Sequence, residues 1–322
     1  GWEWSSLPGG ANLHRVVFTS ADSAVAANFL PYGSDQSPYP QDLWAWLDAT
    51  SARSGAEFIA IPHNSNISKG AMFAESTLRG EPFSQQYLET RQRLEPVVEI
   101  TQIKGDSETH PALSPQDEFA DFEIYDFYIQ QEAESYQPRP GDYVRPALLR
   151  GLAIEQSNGI NPYQFGLIGS TDSHTGLATA DETNFGGKFA SDSMPETKER
   201  PGTSEAVASG WSMSAAGIAG VWSRHNNREA IMAAFKRREV YGTSGPRIRL
   251  RMFAGWNFKQ PDLARQDVLD YAYANGVPMG GELRQNGDGA PSIMLWALQD
   301  PNGATLDRLQ IVKGWIADDG ST

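Results

Sequence analysis

The sequence predicts an α/β protein with a largely parallel sheet in its first 245 residues. Short apolar or β-branched runs alternate there with amphipathic segments, which is the pattern of repeated βα units. Polar segments that carry His or Asp follow several of the apolar runs, and catalytic groups of such folds lie at the carboxyl ends of strands. After about residue 245 the pattern changes to alternating strands and turns. We therefore expect two parts, 1–245 and a β-rich C-terminal extension, 246–322.

The expected elements of the first part follow one another along the chain. Short apolar runs predict strands at residues 2–4, 15–19, 57–61, 97–100, 165–169 and 240–241. Helices are expected at residues 41–54, 84–94, 116–134, 143–159 and 226–238. Gly55 and Gly159 mark the ends of two of these helices, because glycine readily adopts the left-handed conformation of a helix stop.

The sequence of the second part predicts strands rather than helices. Residues 247–253 alternate strictly between polar and apolar side chains, which indicates a half-solvated strand. Residues 292–297 and 306–312 continue in the same style, with turns at 280–281 and 300–303. The preceding segment, 175–222, has little periodicity and is rich in small residues. A loop of that length is often functional, so we expect it to lie over a site; the alternative is an insert without a role.

Composition excludes several classes of protein. Lys and Arg number 26 against 40 Asp and Glu, which gives a formal net charge of −14 and makes non-specific nucleic-acid binding unfavourable. The sequence contains no apolar run of the length that a transmembrane helix needs, about 18 residues, so we expect no membrane span. It also contains no cysteine. Metal ligands therefore have to be histidines and carboxylates.

A metal site is the main chemical hypothesis from the residues themselves. Asp172 and His174 are two positions apart directly after an apolar run, so an extended backbone would project both to one side. His63 follows a second apolar run, and His14 precedes a third. A carboxylate with imidazoles suits zinc or manganese. The alternative for each single histidine is a structural role with satisfied hydrogen bonds.

Glu3 is a further candidate ligand, because it lies between two tryptophans in an expected strand. A buried carboxylate is costly unless it is paired or bound to a metal. Glu99 lies in the same kind of run, and His110 follows it in a polar loop.

Taken in order, several segments resemble the PHP superfamily, named for polymerase and histidinol phosphatase. More narrowly, they resemble the bacterial domain-of-unknown-function family 3604. The segments that carry the resemblance are Gly1-Trp2-Glu3-Trp4, Asn12-Leu13-His14-Arg15, Ile61-Pro62-His63-Asn64, Val98-Glu99-Ile100, Gly169-Ser170-Thr171-Asp172-Ser173-His174, 238–248 and 307–315.

The resemblance implies a distorted (β/α)7 TIM-like barrel with two or three divalent metal ions at the carboxyl ends of its strands. The implied ions are zinc, manganese or iron. The implied ligands are Glu3, His14, His63, Asp172 and His174. The superfamily also has a His-x-His pair and an Asp-His pair upstream of the segment that contains Glu3. Neither pair is present here, so we expect a fragment whose barrel is incomplete at the N-terminus and whose metal binding and activity are weakened.

The function implied is that of a metal-dependent hydrolase, most simply a phosphoesterase that acts on a small anionic substrate. Asp172 and His174 are the expected catalytic residues. Two alternatives stay open: hydrolysis of a non-phosphate ester or amide, and a non-catalytic binding module with a vestigial site. The resemblance favours a periplasmic or secreted protein over a cytoplasmic one, and the oligomeric state is left open. The residues expected to contact substrate are Arg15, Asn64, Glu99, Lys104 and His110.

Overall fold

The computed structural model describes most of the chain. The described residues are 1–129, 134–177, 179–194, 196, 209–214, 217–286, 289–317 and 319–320. Parts of the expected loop 175–222, namely residues 178, 195, 197–208 and 215–216, lie outside the described residues.

The N-terminal sheet has three antiparallel strands in sequence order: β1 (Trp2–Trp4), β2 (Arg15–Thr19) and β3 (Phe58–Pro62). Two helices follow β2 in the chain, α1 (Ser23–Ala26) and α2 (Pro40–Ser54). The α2 helix ends at Gly55, which is left-handed as expected. Apolar side chains of the sheet and α2 form one core cluster, and its largest buried members are Trp4, Val17, Leu43, Trp44, Leu47 and Phe58.

A second sheet has the order β5-β4-β6 and contains β4 (Val97–Gln102), β5 (Gly105–Asp106) and β6 (Gly166–Gly169). The strands β4 and β6 run parallel, with a register shift between Glu99 and Thr101. Helix α3 (Gln85–Leu94) precedes β4, and α4 (Val144–Asn158) precedes β6. Both helices pack on this sheet through a second apolar cluster. The strand β3 lies beside β4, which places the first two sheets next to each other.

The remaining strands form two further sheets. The strands β7 (Ile218–Val221) and β8 (Val240–Thr243) are an antiparallel pair connected through helix α5 (Arg228–Lys236), and β8 packs against β6. The C-terminal sheet has the order β10-β9-β11, with β9 (Arg249–Gly255), β10 (Val277–Pro278) and β11 (Ser292–Leu298). Helix α6 (Val268–Asn275) packs on it.

Short 3-10 helices complete the described secondary structure. They lie at Pro8–Gly10, Ser65–Ile67, Pro140–Asp142, Glu182–Asn184, Ala190–Ser193, Gly210–Ser212 and Gln260–Ala264. Across the described part of the chain, every helix is too short or too polar to cross a lipid bilayer.

The expected (β/α)7 barrel is wrong. The described residues form sheets of three, three, three and two strands with six α-helices, and these sheets do not close into a barrel. The expectation of a largely parallel sheet is wrong as well, since β4 and β6 are the one parallel pair within the described residues. Antiparallel pairing replaces the expected parallel pairing at both ends of the chain, although helices still connect β2 to β3 and β9 to β10.

Two single elements also differ from expectation. Residues 116–123 form turns and 124–129 are irregular, so no helix is present there, and the Asp117 side chain accepts a hydrogen bond from the Phe119 backbone N–H. Such local bonds compete with helical hydrogen bonding. The remaining residues of that expected helix, 130–133, lie outside the described residues, and residue 134 is not helical. The expected strand 306–312 has no regular secondary structure and pairs with no described strand, and its side chains are exposed.

Candidate metal centre

Three residues from the N-terminal sheet converge on one point. Glu3, His14 and His63 each offer a ligand atom, and these atoms all lie within 4.8 Å of one another. His14 Nδ1 lies 2.5 Å from Glu3 Oε1, and His63 Nε2 lies 3.0 Å from the same oxygen. One carboxylate oxygen is therefore shared by two imidazoles.

Strand geometry explains this convergence. Glu3 lies on β1 between Trp2 and Trp4, and because neighbouring strand residues face opposite sides, burial of Trp4 in the core directs Glu3 away from it. His14 comes directly before β2, and His63 directly after the last residue of β3. The two meet because these strands pair antiparallel, and the His63 N–H donates to the His14 carbonyl at 3.4 Å.

The protonation states of this cluster favour the binding of a cation. Burial raises the pKa of Glu3, but the hydrogen bonds and charges of His14 and His63 outweigh it and hold that pKa well below its usual range. Burial lowers the pKa of His14, although its hydrogen bond to the Glu3 carboxylate opposes this. An ionised carboxylate and a neutral imidazole are the forms that bind metal.

Glu99 extends the cluster on the other side of His63. Its Oε1 lies 3.8 Å from His63 Nδ1, too far for a hydrogen bond, while Ser170 donates its hydroxyl to Glu99 Oε2. Both facing atoms, His63 Nδ1 and Glu99 Oε1, are buried and lack a hydrogen-bond partner among the described residues. Burial raises the pKa of Glu99, although the charge of His63 opposes this. Such orphaned buried atoms are expected where a bound group is absent.

The expected Asp172 and His174 pair does form, but its surroundings are cationic. His174 Nε2 lies 3.3 Å from Asp172 Oδ1. The other oxygen, Oδ2, accepts hydrogen bonds from Lys104, from Lys188 at 2.6 Å and from Gln102 at 3.0 Å. Asp172 is therefore held by ammonium groups, and His174 forms the half-exposed edge of the site.

Electrostatics link this second group to the first. Burial raises the pKa of Asp172, but the charges of Lys104, His63 and Lys188 outweigh it and hold the pKa far below its usual range. Burial lowers the pKa of Lys104 to about 8, against the attraction of Asp172. His63 and Asp172 come after β3 and β6, the strands that contact β4 on its two sides, and the charge of His63 acts on the Asp172 carboxylate.

The backbone is strained at two of these positions. Asn64 and Asp172 have φ values of 52° and 50°, a left-handed conformation that non-glycine residues rarely adopt. Within the described structure, both polar atoms of the buried Asn64 side chain lack a hydrogen-bond partner. Strain of this kind clusters at functional sites.

A family model matches residues 1–322, and its description is "Protein of unknown function (DUF3604)". The chain belongs to the DUF3604 family. This confirms the narrower of the two resemblances found in the sequence. No curated protein and no solved structure matches the chain.

In this DUF3604 chain, two residues expected to contact substrate lie elsewhere. Arg15 faces away from His14, because they are neighbours at the start of β2, and its Nε donates to Glu95 Oε1 at 2.9 Å in the protein interior. The His110 ring packs against Tyr136 and Tyr143. Asn64, Glu99 and Lys104 do border the cluster.

Sequence reasoning missed Lys188 and Gln102 as members of the site. Lys188 belongs to the long segment after His174, and the His174 N–H donates to the Lys188 carbonyl at 2.8 Å. That segment was expected to lie over the site, and its described part does so through Lys188. The available signal was a lysine after Gly186-Gly187, in a loop that follows an Asp-x-His motif.

Proposed function

We propose that this DUF3604 protein is a metal-dependent hydrolase of the phosphoesterase type. The observation that carries the proposal is the convergence of Glu3 on β1 with His14 and His63, at the adjoining ends of β2 and β3, on one point. A carboxylate and two imidazoles within ligand distance of one another are a donor set typical of metal-dependent hydrolases.

The donor set fits a divalent ion. One carboxylate and two imidazoles suit zinc, manganese or iron, and the orphaned Glu99 Oε1 offers a further donor atom beside them. Glu3, His14 and His63 would hold the ion, with Glu99 next to it. When bound, such an ion supplies Lewis-acid chemistry: it lowers the pKa of water and offsets negative charge on the reacting group.

The other residues would handle the substrate and its protons. His174 is the most exposed titratable group of the site, and Asp172 Oδ1 orients its ring. We assign His174 the transfer of a proton to the leaving group, since a positioned imidazole is the side chain that most often serves as a general acid or base. Asn64, with both amide atoms free of described partners, would contact the substrate.

We also propose that the chain is a member of the PHP superfamily. The order of the segments that contain Glu3, His14, His63 and Asp172 supports this, although the barrel of that superfamily is not found here.

Metal binding is the first test. His63→Ala removes a buried donor, and we expect the affinity for Zn²⁺ or Mn²⁺ to fall at least about tenfold. His225→Ala is the matched control, because His225 is exposed and lies outside the cluster. Titration of the metal-depleted protein, with metal content measured by elemental analysis, gives both affinities. Equal affinities of His63→Ala and the parent protein would contradict the proposal.

Hydrolysis is the second test. We expect metal-dependent release of nitrophenol from p-nitrophenyl phosphate, and loss of that release in His63→Ala but not in His225→Ala. A preference for p-nitrophenyl acetate would instead establish the non-phosphate ester alternative. Tight metal binding without turnover of either compound would establish a binding module.

A further inference from the structure

Two lysines share one carboxylate oxygen in the centre of the site. Lys104 and Lys188 both donate to Asp172 Oδ2, and Lys188 also reaches the Asp172 carbonyl at 3.3 Å. The lysines come from distant parts of the chain, one after β4 and the other from the segment after β6. Their meeting is therefore a product of the fold and not of a local charge run.

The arrangement carries a surplus of positive charge. Two ammonium groups face a single carboxylate, and both lysine side chains are more than nine-tenths buried. The repulsion between the lysines opposes the attraction of each to Asp172. Buried charge is costly unless it is paired. The two ammonium groups have only one carboxylate between them, so this site should favour the binding of a further anion.

Anion binding by this protein requires a local positive charge. The formal net charge is −14, and a protein of that charge repels anions at long range. A buried pair of ammonium groups gives a local attraction that surrounding solvent screens only weakly. Each ammonium has three donors, so the pair can bind an oxyanion through several charge-assisted hydrogen bonds.

We propose that Lys104 and Lys188 form the binding site for the phosphoryl group of the substrate, and that Asp172 holds this site as an internal counterion. On binding, the phosphoryl oxygens take the donors that Asp172 now accepts. This inference rests on the proposed hydrolase function for its substrate class, but it assigns Asp172 to the lysines and not to the metal. The two assignments make opposite predictions for removal of its charge.

The test uses inorganic phosphate and the full chain without metal, in the presence of a chelator at pH 7. Isothermal titration measures the phosphate affinity of the parent protein, Asp172→Asn, Lys188→Gln and Lys188→Arg. Lys236→Gln is the matched control, because Lys236 pairs with Glu57 at the surface. Circular dichroism of each variant establishes that it is folded.

We expect Asp172→Asn to bind phosphate about tenfold or more tightly, since the competing carboxylate charge is gone. Lys188→Gln should bind at least about tenfold more weakly, with Lys188→Arg and Lys236→Gln close to the parent. Unchanged or weaker binding by Asp172→Asn, or unchanged binding by Lys188→Gln, would overturn the proposal. If Asp172→Asn does not fold, the two Lys188 variants decide it alone. Because no metal and no turnover enter the measurement, the result is independent of the hydrolase tests.

Discussion

At the scale of single residues, Asp142 shows how burial sets a pH dependence. Its carboxylate is buried and accepts hydrogen bonds from the Ser68 hydroxyl at 2.8 Å and from the backbone N–H of Gly70 and of Arg139. Burial raises the pKa of Asp142 to about 6, although these hydrogen bonds lower it. The folded protein therefore keeps a proton between about pH 4 and pH 6 that the unfolded chain has released.

The consequence is a loss of stability as the pH rises through this window. In Asp142→Asn the side chain at position 142 does not titrate. Relative to this variant, the parent protein should lose up to about 1.4 kcal/mol of unfolding free energy per pH unit between pH 4 and pH 6. Urea unfolding of both proteins at several pH values measures the difference. A difference that is constant across this range would contradict the raised pKa.

The same scale shows which site residues a sequence can reveal. Glu3, His14 and His63 were found because each lies within or beside a short strand, and strand ends of one sheet meet in space. Lys188 was missed because its position depends on how a long loop folds back. Arg15 was placed near substrate because of its neighbour His14, but alternation along a strand turns the two side chains apart.

At the scale of elements, Glu95 ties a strand to two helices. It ends α3, and its Oε1 accepts from Arg15 of β2 at 2.9 Å and from Trp44 of α2 at 3.0 Å. Its Oε2 lies 3.1 Å from Arg91 Nε of α3. Both guanidinium groups are almost fully buried, so Glu95 is the carboxylate that offsets their charge.

Glu95→Gln should therefore destabilise the protein by about 3–5 kcal/mol, because it leaves buried charge without compensation. The matched control is Asp48→Asn, since Asp48 pairs with Arg93 at 2.7 Å on the surface, and it should cost less than about 1 kcal/mol. Urea unfolding measures both changes. Similar small effects in the two variants would show that the buried network adds little to stability.

Elements were predictable from sequence where the signal is local. Gly55 and Gly159 end α2 and α4 as expected, because a left-handed helix stop needs no distant partner. The expected helix 116–134 failed because side chains such as Asp117 bond their own backbone. The expected strand 306–312 contains several apolar residues, but a strand forms only where a neighbouring strand supplies its hydrogen bonds.

At the scale of the whole molecule, pairing between distant strands decides the architecture. Alternating strands and helices predicted a parallel sheet, yet β2 pairs antiparallel with both β1 and β3. Hydrophobic periodicity reports which residues of a strand are buried but not the direction of the strand beside it. The site nevertheless forms, because its residues lie at strand ends that adjoin in the observed sheets.

The C-terminal sheet has a core of its own. Phe253, Phe258, Ala272 and Met294 form a cluster that is distinct from the clusters beneath the metal centre. Polar contacts join the two parts: Trp222 Nε1 donates to the Leu250 carbonyl at 2.9 Å, and Glu239 Oε1 lies 3.4 Å from Arg251 of β9 in a buried ion pair. Because the apolar clusters of the two parts are separate, we infer that the two cores can open separately.

Hydrogen exchange tests this division through metal binding. At a Mn²⁺ concentration of about one hundred times Kd, the free energy of opening rises by about 2.7 kcal/mol for elements that open together with the metal centre. Their amide exchange then slows about a hundredfold. We expect this slowing for amides of β2, β3 and β4, and unchanged exchange for β9 and β11. His63→Ala should abolish the slowing, which ties it to the proposed ligands. Equal slowing in β9 and β3 would mean that the chain opens as one cooperative unit, with the contacts around Trp222 strong enough to join the two cores.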